Sequence, residues 1–215
     1  MIVANWMSSP AITLRREDSI ATAVSLMRQK RIRRIPIVDD SGALVGIVSD
    51  RDLKEVSPSS ASTLDIWELH YVLDRLKLGD IMTKKPWTVK PDTPIEKAAL
   101  LMMQKRVEGL PVLDDGRKLA GIITEGDVFR ALVELTGVGK HRVRISLLVP
   151  DEPGSIREVA DVCRAQGARI HSVLGSYAKV PEGKRELVMR VQGPGVEELR
   201  AALSQRFGDV RVEED

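Results

Sequence analysis

Two short segments set a hydroxyl and a carboxylate at a fixed interval behind a glycine and two aliphatic residues: Gly46-Ile47-Val48-Ser49-Asp50-Arg51-Asp52 and Gly121-Ile122-Ile123-Thr124-Glu125-Gly126-Asp127. A hydroxyl that ends a strand, followed by an acid in the first helical turn, can do two kinds of work. Free backbone N–H groups there attract phosphate, and the carboxylate can accept from a ribose diol, so one small site can hold a nucleotide's sugar and phosphate. Equally, Ser49 and Thr124 can be helix N-caps, with Asp52 and Asp127 as the reciprocal acids of a capping box. Repetition in two places favours function, although duplication also preserves caps.

Other candidates are fewer. Arg28, Lys30, Arg31, Arg33 and Arg34 crowd one helix end and the turn into a strand. From there Arg33 or Arg34 can reach a phosphate. The same cations complement a helix C-terminus, and for Arg34 both readings stand. The second copy has Glu108-Gly109 at that place, so the two sites are expected to differ in affinity or ligand. His70, His141 and His171 stand in different elements, with no spacing that suggests a triad or a metal set. Cys163, the only cysteine, lies on an apolar helix face and reads as core; it allows neither an internal disulfide nor a thiolate cage, which fits the cytoplasm. Neither catalytic nor metal-binding residues are expected.

The elements that position these groups come from a repeat. Residues 7 to 53 slide onto 82 to 128 without a gap, an offset of 82 − 7 = 75, with 16 identities in 47 positions. Each copy begins with a helix after Ser19 or Thr93, whose apolar face is Ile20, Ala23, Val24 and Met27 or Ile95, Ala98, Ala99 and Met102. Two short strands follow, Ile35 to Val38 and Leu44 to Val48, repeated as Leu110 to Leu113 and Leu119 to Ile123, and then a second helix. Between the copies, a Ser-Pro-rich break leads into Leu64, Trp67, Tyr71 and Leu78 at helical spacing; this reads as a connecting helix, its aromatics as packing.

After the break Gly137-Val138-Gly139-Lys140 the pattern changes. Val143, Ile145, Leu147 and Val149 alternate as in a half-buried strand. A helix with Ile156, Val159, Ala160 and Cys163 on one face ends at Gly167, and strands near 169–175 and 185–191, a helix from Val196 to Phe207 and a strand near 209–213 complete βαββαβ, a ferredoxin-like plan. With 33 basic and 31 acidic residues, a net charge of +2 supplies no global field for nucleic acid. No apolar run is long enough to span a membrane, and Met1 to Trp6 lacks the features of an export signal, so a soluble cytoplasmic protein is expected.

On these motifs, together with Met82-Thr83, Ile35-Pro36-Ile37-Val38-Asp39 and Leu110-Pro111-Val112-Leu113-Asp114, the two copies resemble a tandem pair of CBS domains, a Bateman module, and the third module resembles an ACT domain. The order of the three, with Gly-Ile-Val-Ser-Asp-Arg-Asp-Leu-Lys and the linker Ser-Pro-Ser, is similar to the acetoin-utilisation B protein family. Met7-Ser8 departs mildly from the usual opening but keeps the hydroxyl. The resemblance implies an α+β fold with a first CBS domain over 1–57, a linker helix over 58–77, a second CBS domain over 78–137 and an ACT domain over 142–215. It implies an adenine nucleotide or adenosyl ligand between the repeats, with Asp52 and Asp127 on ribose and Ser49 and Thr124 near phosphate. Adenine would lie against Ile12, Thr13 and Ile35, and against Trp87, Thr88 and Leu110. The ACT likeness implies either an amino acid held at Asp151, Gly154, Ser155 and Ile156 or a module that only mediates dimerisation. The expectation is therefore a non-catalytic, homodimeric regulatory sensor without a cofactor, acting in acetoin or central carbon catabolism. The alternative is an amino-acid sensor working through the ACT domain on a CBS platform. Nucleic-acid binding through Arg28 to Arg34 lacks an aromatic platform or recognition helix and is not expected.

Overall fold

In the first repeat the Ser19 hydroxyl accepts from the Thr22 N–H and caps the helix Ile20–Lys30, which buries Ile20, Ala23 and Met27 along one face as the spacing predicts. Its counterpart, Ile95–Lys105, buries Ile95, Ala98 and Met102 in the same way but starts from Pro94. There the fixed φ of proline suits a helix start that needs no N–H. The Thr93 hydroxyl, expected at that cap, instead accepts from the Lys90 N–H. Both helices end on an arginine in the left-handed region, Arg31 at φ 53° and Arg106 at φ 54°.

These elements come from a computed structural model that describes residues 1–56, 75–139, 143–193 and 195–214. Most of the linker expected over 58–77, with Leu64, Trp67 and Tyr71, lies outside them, as do His70 and His141. The described chain separates into two compact units, Met1–Phe129 and Arg130–Asp215, with the boundary inside the helix Glu125–Thr136.

In the first unit, β1 (Leu14–Arg15), β2 (Arg34–Val38), β3 (Leu44–Ser49) and β4 (Thr83–Lys84) form one sheet in that order. β1 runs parallel to β2, and the other pairs are antiparallel. β4 opens the second repeat, yet it pairs with the first: Ile47 faces Thr83 and Gly46 faces Lys84. The second repeat carries β5 (Gly109–Leu113) and β6 (Leu119–Thr124), antiparallel, and Ser8 from the start of the chain bridges Ile122. Subtracting 75 from Thr83 gives Ser8, and adding 75 to Ile47 gives Ile122, so the two lead-in segments are exchanged reciprocally. Further bonds repeat the pattern: Val3 N–H donates to Thr93 O as Leu78 N–H does to Asp18 O. Ala43 bridges Lys118, its own equivalent (43 + 75 = 118), which places the pseudo-two-fold axis between them.

The exchange fills cores as well as edges. Leu78 and Met82 pack with Ile20, Ala23, Met27, Ile35, Ile37, Val48 and Leu53 of the first repeat. It also needs two glycines. A Cβ on Gly46 would sit 2.5 Å from Met82 Sδ and 3.1 Å from Thr83 O, and one on Gly121 would sit 2.6 Å from Ser8 O and 2.9 Å from Met7 Sδ.

The second unit is an antiparallel sheet, ordered β10-β7-β9-β8, made of β7 (Val143–Pro150), β8 (Arg169–Ser176), β9 (Lys184–Gln192) and β10 (Val210–Glu214). The helices Ser155–Ala165 and Val196–Phe207 supply Val159, Cys163, Leu199 and Leu203 to a core with Ile145, Leu147, Val149, Leu187, Met189 and Val191. This is the α+β, βαββαβ plan read from the sequence. Among the described residues no helix is long and apolar enough to cross a membrane.

The exchange yields a directional prediction. At Gly121 the obstacle is backbone, whereas at Gly46 the nearest atom belongs to a flexible thioether. Gly121→Ala is therefore expected to destabilise the protein by about 1–3 kcal/mol, and Gly46→Ala by less, in equilibrium urea unfolding. Equal costs would contradict this account of the crossing.

Candidate functional site

Both hydroxyl–acid pairs adopt the capping-box geometry. Asp52 Oδ2 accepts from the Ser49 N–H at 2.7 Å and from Ser49 Oγ at 2.7 Å, while Ser49 Oγ accepts from the Asp52 N–H at 3.2 Å. Asp127 Oδ2 accepts from the Thr124 N–H at 2.7 Å and from Thr124 Oγ1 at 2.8 Å. These bonds start the helices Asp50–Val56 and Glu125–Thr136. The pairs differ in their surroundings. Asp127 is 4% exposed, whereas Asp52 is half-buried, and its Oδ1 makes no hydrogen bond among the described residues.

Asp52 opens on a cavity of about 450 Å³, within the range of small-molecule sites. Its walls come from both repeats: Arg34, Ile47, Ser49 and Asp52 from the first, and Thr83 to Trp87 and Arg106 to Gly109 from the second. The crossing of β4 onto β3 brings them together, since it delivers Lys84, Lys85, Pro86 and Trp87 beside the end of β3. Trp87 is 52% exposed and stands under the Lys105 ammonium, which lies 4.1 Å from the ring centroid. The wall residues Asp50 and Arg51 pair with Lys54 and Glu55 on their own helix. Arg34, Lys84, Lys85 and Arg106 then face the carboxylates of Asp52 and Glu108, a balance that favours an anion. Lys85, at φ 51°, and Arg106 are both held in the left-handed region, a conformation that costs a non-glycine residue on the order of 1 kcal/mol and concentrates at functional sites.

Of the residues expected at a ligand, Ser49, Asp52, Arg34 and Trp87 meet in this cavity. Thr124 and Asp127 form the equivalent pair elsewhere. Ile35 and Leu110 are fully buried and are not among its walls, nor are the half-buried Ile12, Thr13 and Thr88. Ile12 is the equivalent of Trp87 (12 + 75 = 87), so by the pseudo-symmetry it belongs with Asp127. Lys84, Lys85 and Arg106 were not singled out in the sequence. Lys84 and Lys85 stand in the basic run that follows Met82-Thr83, whereas Arg106 closes the helix Ile95–Lys105.

In the second unit, Asp151, Gly154 and Ile156 line an open depression with Glu152, Pro153, Arg157 and Arg185. Ser155 is buried; its Oγ donates to Glu152 O at 2.9 Å and accepts from an Arg185 terminal nitrogen at 2.9 Å. Gly154 holds φ 99°, and Arg185 Nε is buried without a hydrogen-bond partner. Burial pushes the Cys163 thiol above its usual pKa, which keeps it protonated within the core.

Comparison with known proteins bears on both units. Residues 3–59 and 78–134 match the CBS domain, and residues 141–214 match the TTHA0829-like ACT domain. A CBS domain-containing protein of Dictyostelium discoideum is 31% identical over 141 residues, covering 63% of this chain and 93% of its own. Among solved structures, CBSX2 of Arabidopsis thaliana in complex with AMP is 33% identical with a TM-score of 0.51, over 62% of this chain and 96% of its own. The CBS domain pair of protein MJ0100, in complex with 5-methylthioadenosine and S-adenosyl-L-methionine, is 28% identical with a TM-score of 0.52, over 62% and 97%. A Vibrio cholerae protein ascribed to acetoin utilization is 28% identical with a TM-score of 0.54, over 65% and 96%.

The unequal burial of the two acids sets an expected order of stability. Asp127→Ala strands the Thr124 N–H and hydroxyl beside a buried position and should cost about 1–3 kcal/mol, while at Asp52 water can replace the lost carboxylate at lower cost. Chemical denaturation of both variants without added ligand measures this difference. A larger loss for Asp52→Ala would contradict the assigned burial.

Proposed function

The chain belongs to the CBS-domain family, with a CBS pair followed by an ACT domain, and from that premise we propose that it is a non-catalytic regulatory sensor of adenine nucleotides. The observation that carries this reading is the meeting of Asp52, Trp87 and Arg34 in one cavity. Each group suits one part of the ligand. The half-exposed indole offers a face for adenine, a contact worth about 1–3 kcal/mol for a stacked base. Asp52 Oδ1 is available to accept from a ribose hydroxyl while Oδ2 holds the cap. Arg34, Lys84, Lys85 and Arg106 supply cations for phosphate, and the Ser49 hydroxyl lies at the same end of β3.

The binding of AMP by CBSX2 and of adenosyl compounds by the CBS pair of MJ0100 supports this ligand class. Because the cavity walls belong to both repeats, a bound nucleotide favours whichever arrangement of the repeats it bridges best, and this difference in affinity is what a regulatory response requires. The likeness to the Vibrio cholerae protein supports a place in acetoin or central carbon catabolism, and a homodimer is the assembly we propose. A second reading, amino-acid sensing by the ACT domain, draws on the Arg185 guanidinium beside the Asp151–Ile156 loop, where it can face a carboxylate.

Thermal shift and calorimetric titration of the ligand-free protein with AMP, ATP, S-adenosylmethionine, 5-methylthioadenosine and the common amino acids test the proposal. AMP or another adenosyl compound is expected to stabilise the protein. Asp52→Ala should remove that effect, and Trp87→Ala should weaken binding by about 1–3 kcal/mol. Stabilisation by an amino acid alone, unaltered in Asp52→Ala, would transfer sensing to the ACT domain.

A further inference from the structure

The two repeats diverge most consequentially where Arg34 meets Glu108. Arg34 opens β2 in the first repeat and Glu108 immediately precedes β5 in the second, and the two form an ion pair across the cavity that also contains Asp52. The partners are held very differently. The Arg34 side chain is 14% exposed, against 59% for Glu108. Arg34 also packs where a side chain is missing: a Cβ on Gly109 would lie 3.0 Å from Arg34 Cδ and 3.5 Å from its Nε. Gly109 is the equivalent of Arg34 itself (34 + 75 = 109), and Glu108 is the equivalent of Arg33 (33 + 75 = 108). At this place the second repeat has no side chain where the cation packs and carries an acid where the first has a base. The cation is therefore fixed, and the anion can swing into solvent.

We propose that Glu108 is an internal stand-in for phosphate, a latch on Arg34 that a phosphate-bearing ligand displaces and that a neutral nucleoside leaves closed. The inference rests on reading the cavity as a nucleotide site. The exchange has two consequences. A phosphate gains Arg34 only at the expense of an existing ion pair, so Glu108 sets the affinity for phosphorylated ligands without touching adenine or ribose. Its release also replaces a direct link between the repeats with one that runs through the ligand, which makes the repeat-to-repeat contact depend on the ligand's charge.

The test compares AMP and adenosine binding, by calorimetry at fixed ionic strength, in the full chain, Glu108→Gln and Arg34→Met. Glu108→Gln is expected to tighten AMP about three- to tenfold, as removing a competing partly exposed charge should. It should leave adenosine unchanged. Arg34→Met should weaken AMP and bring its affinity close to that of adenosine, and Glu108→Gln added to Arg34→Met should then have no further effect. AMP affinity unchanged or lowered in Glu108→Gln, with adenosine still bound, overturns the latch while leaving the nucleotide site intact. Equal tightening of AMP and adenosine also overturns it, because the effect would then not involve phosphate. Failure of both ligands to bind either the unaltered chain or Glu108→Gln would overturn the nucleotide reading and the latch together.

Discussion

Everything in the first unit depends on two close backbone approaches, at Gly46 and Gly121, where the lead-in segment of each repeat lies against the third strand of the other. Thr83 O and Ser8 O come within 3.1 and 2.6 Å of where a Cβ would be, closer than a side chain there would tolerate without displacement. With the glycines in place, Ile47 pairs with Thr83 and Ile122 with Ser8, and Leu78 and Met82 complete a core that begins at Ile20. Neither repeat owns all of its own edge, and the first does not own all of its core. Their fixed relation is a consequence of chain crossing as well as of apolar contact, and a cavity between them inherits walls whose positions are set by strand pairing.

That crossing decides which residues share a site. Equivalent positions differ at the places that face the cavity: Trp87 against Ile12, Lys85 against Pro10, Glu108 against Arg33 and Gly109 against Arg34. Had each repeat formed a site by itself, Trp87 would accompany Asp127, because both belong to the second copy. Exchange sends it instead to Asp52. The half-buried acid thus receives the aromatic face and the cations. Differences that look scattered along the sequence converge on one side of the pseudo-two-fold axis.

Much of the fold was legible because it rests on local regularities. The helix faces at Ile20, Ala23 and Met27 and at Ile95, Ala98 and Met102, the strands on either side of the Asp-Asp turns, and the alternation from Val143 to Val149 all follow from period and composition. What these patterns do not encode is which distant segment completes a sheet. The pairing of Thr83 with Ile47 involves two residues on an edge, too short to leave a period, and the reason for Gly46 and Gly121 becomes visible only when the opposing backbone is in place. Ile35 and Leu110 show the converse: set against adenine by the family resemblance, they lie wholly in the core, since an apolar residue in a short strand gives no sign of whether one face or both are covered. Thr93 does not cap its helix as Ser19 does, because proline at 94 can itself begin the helix.

In the hydroxyl–acid motif, capping and an open carboxylate oxygen are compatible. A carboxylate has two oxygens. At Asp52, Oδ2 receives both bonds from Ser49, which fixes the rotamer of the side chain and the start of the helix, and this leaves Oδ1 unengaged at the wall of a cavity. The cap is then the means by which the second oxygen is aimed: ordering the side chain in advance lowers the entropy that a bound hydroxyl would otherwise have to offset. At Asp127 the same cap is kept where the side chain is almost fully buried, so there the motif's structural role is retained. One sequence pattern therefore serves one cap in two settings, half-buried at Asp52 and almost fully buried at Asp127.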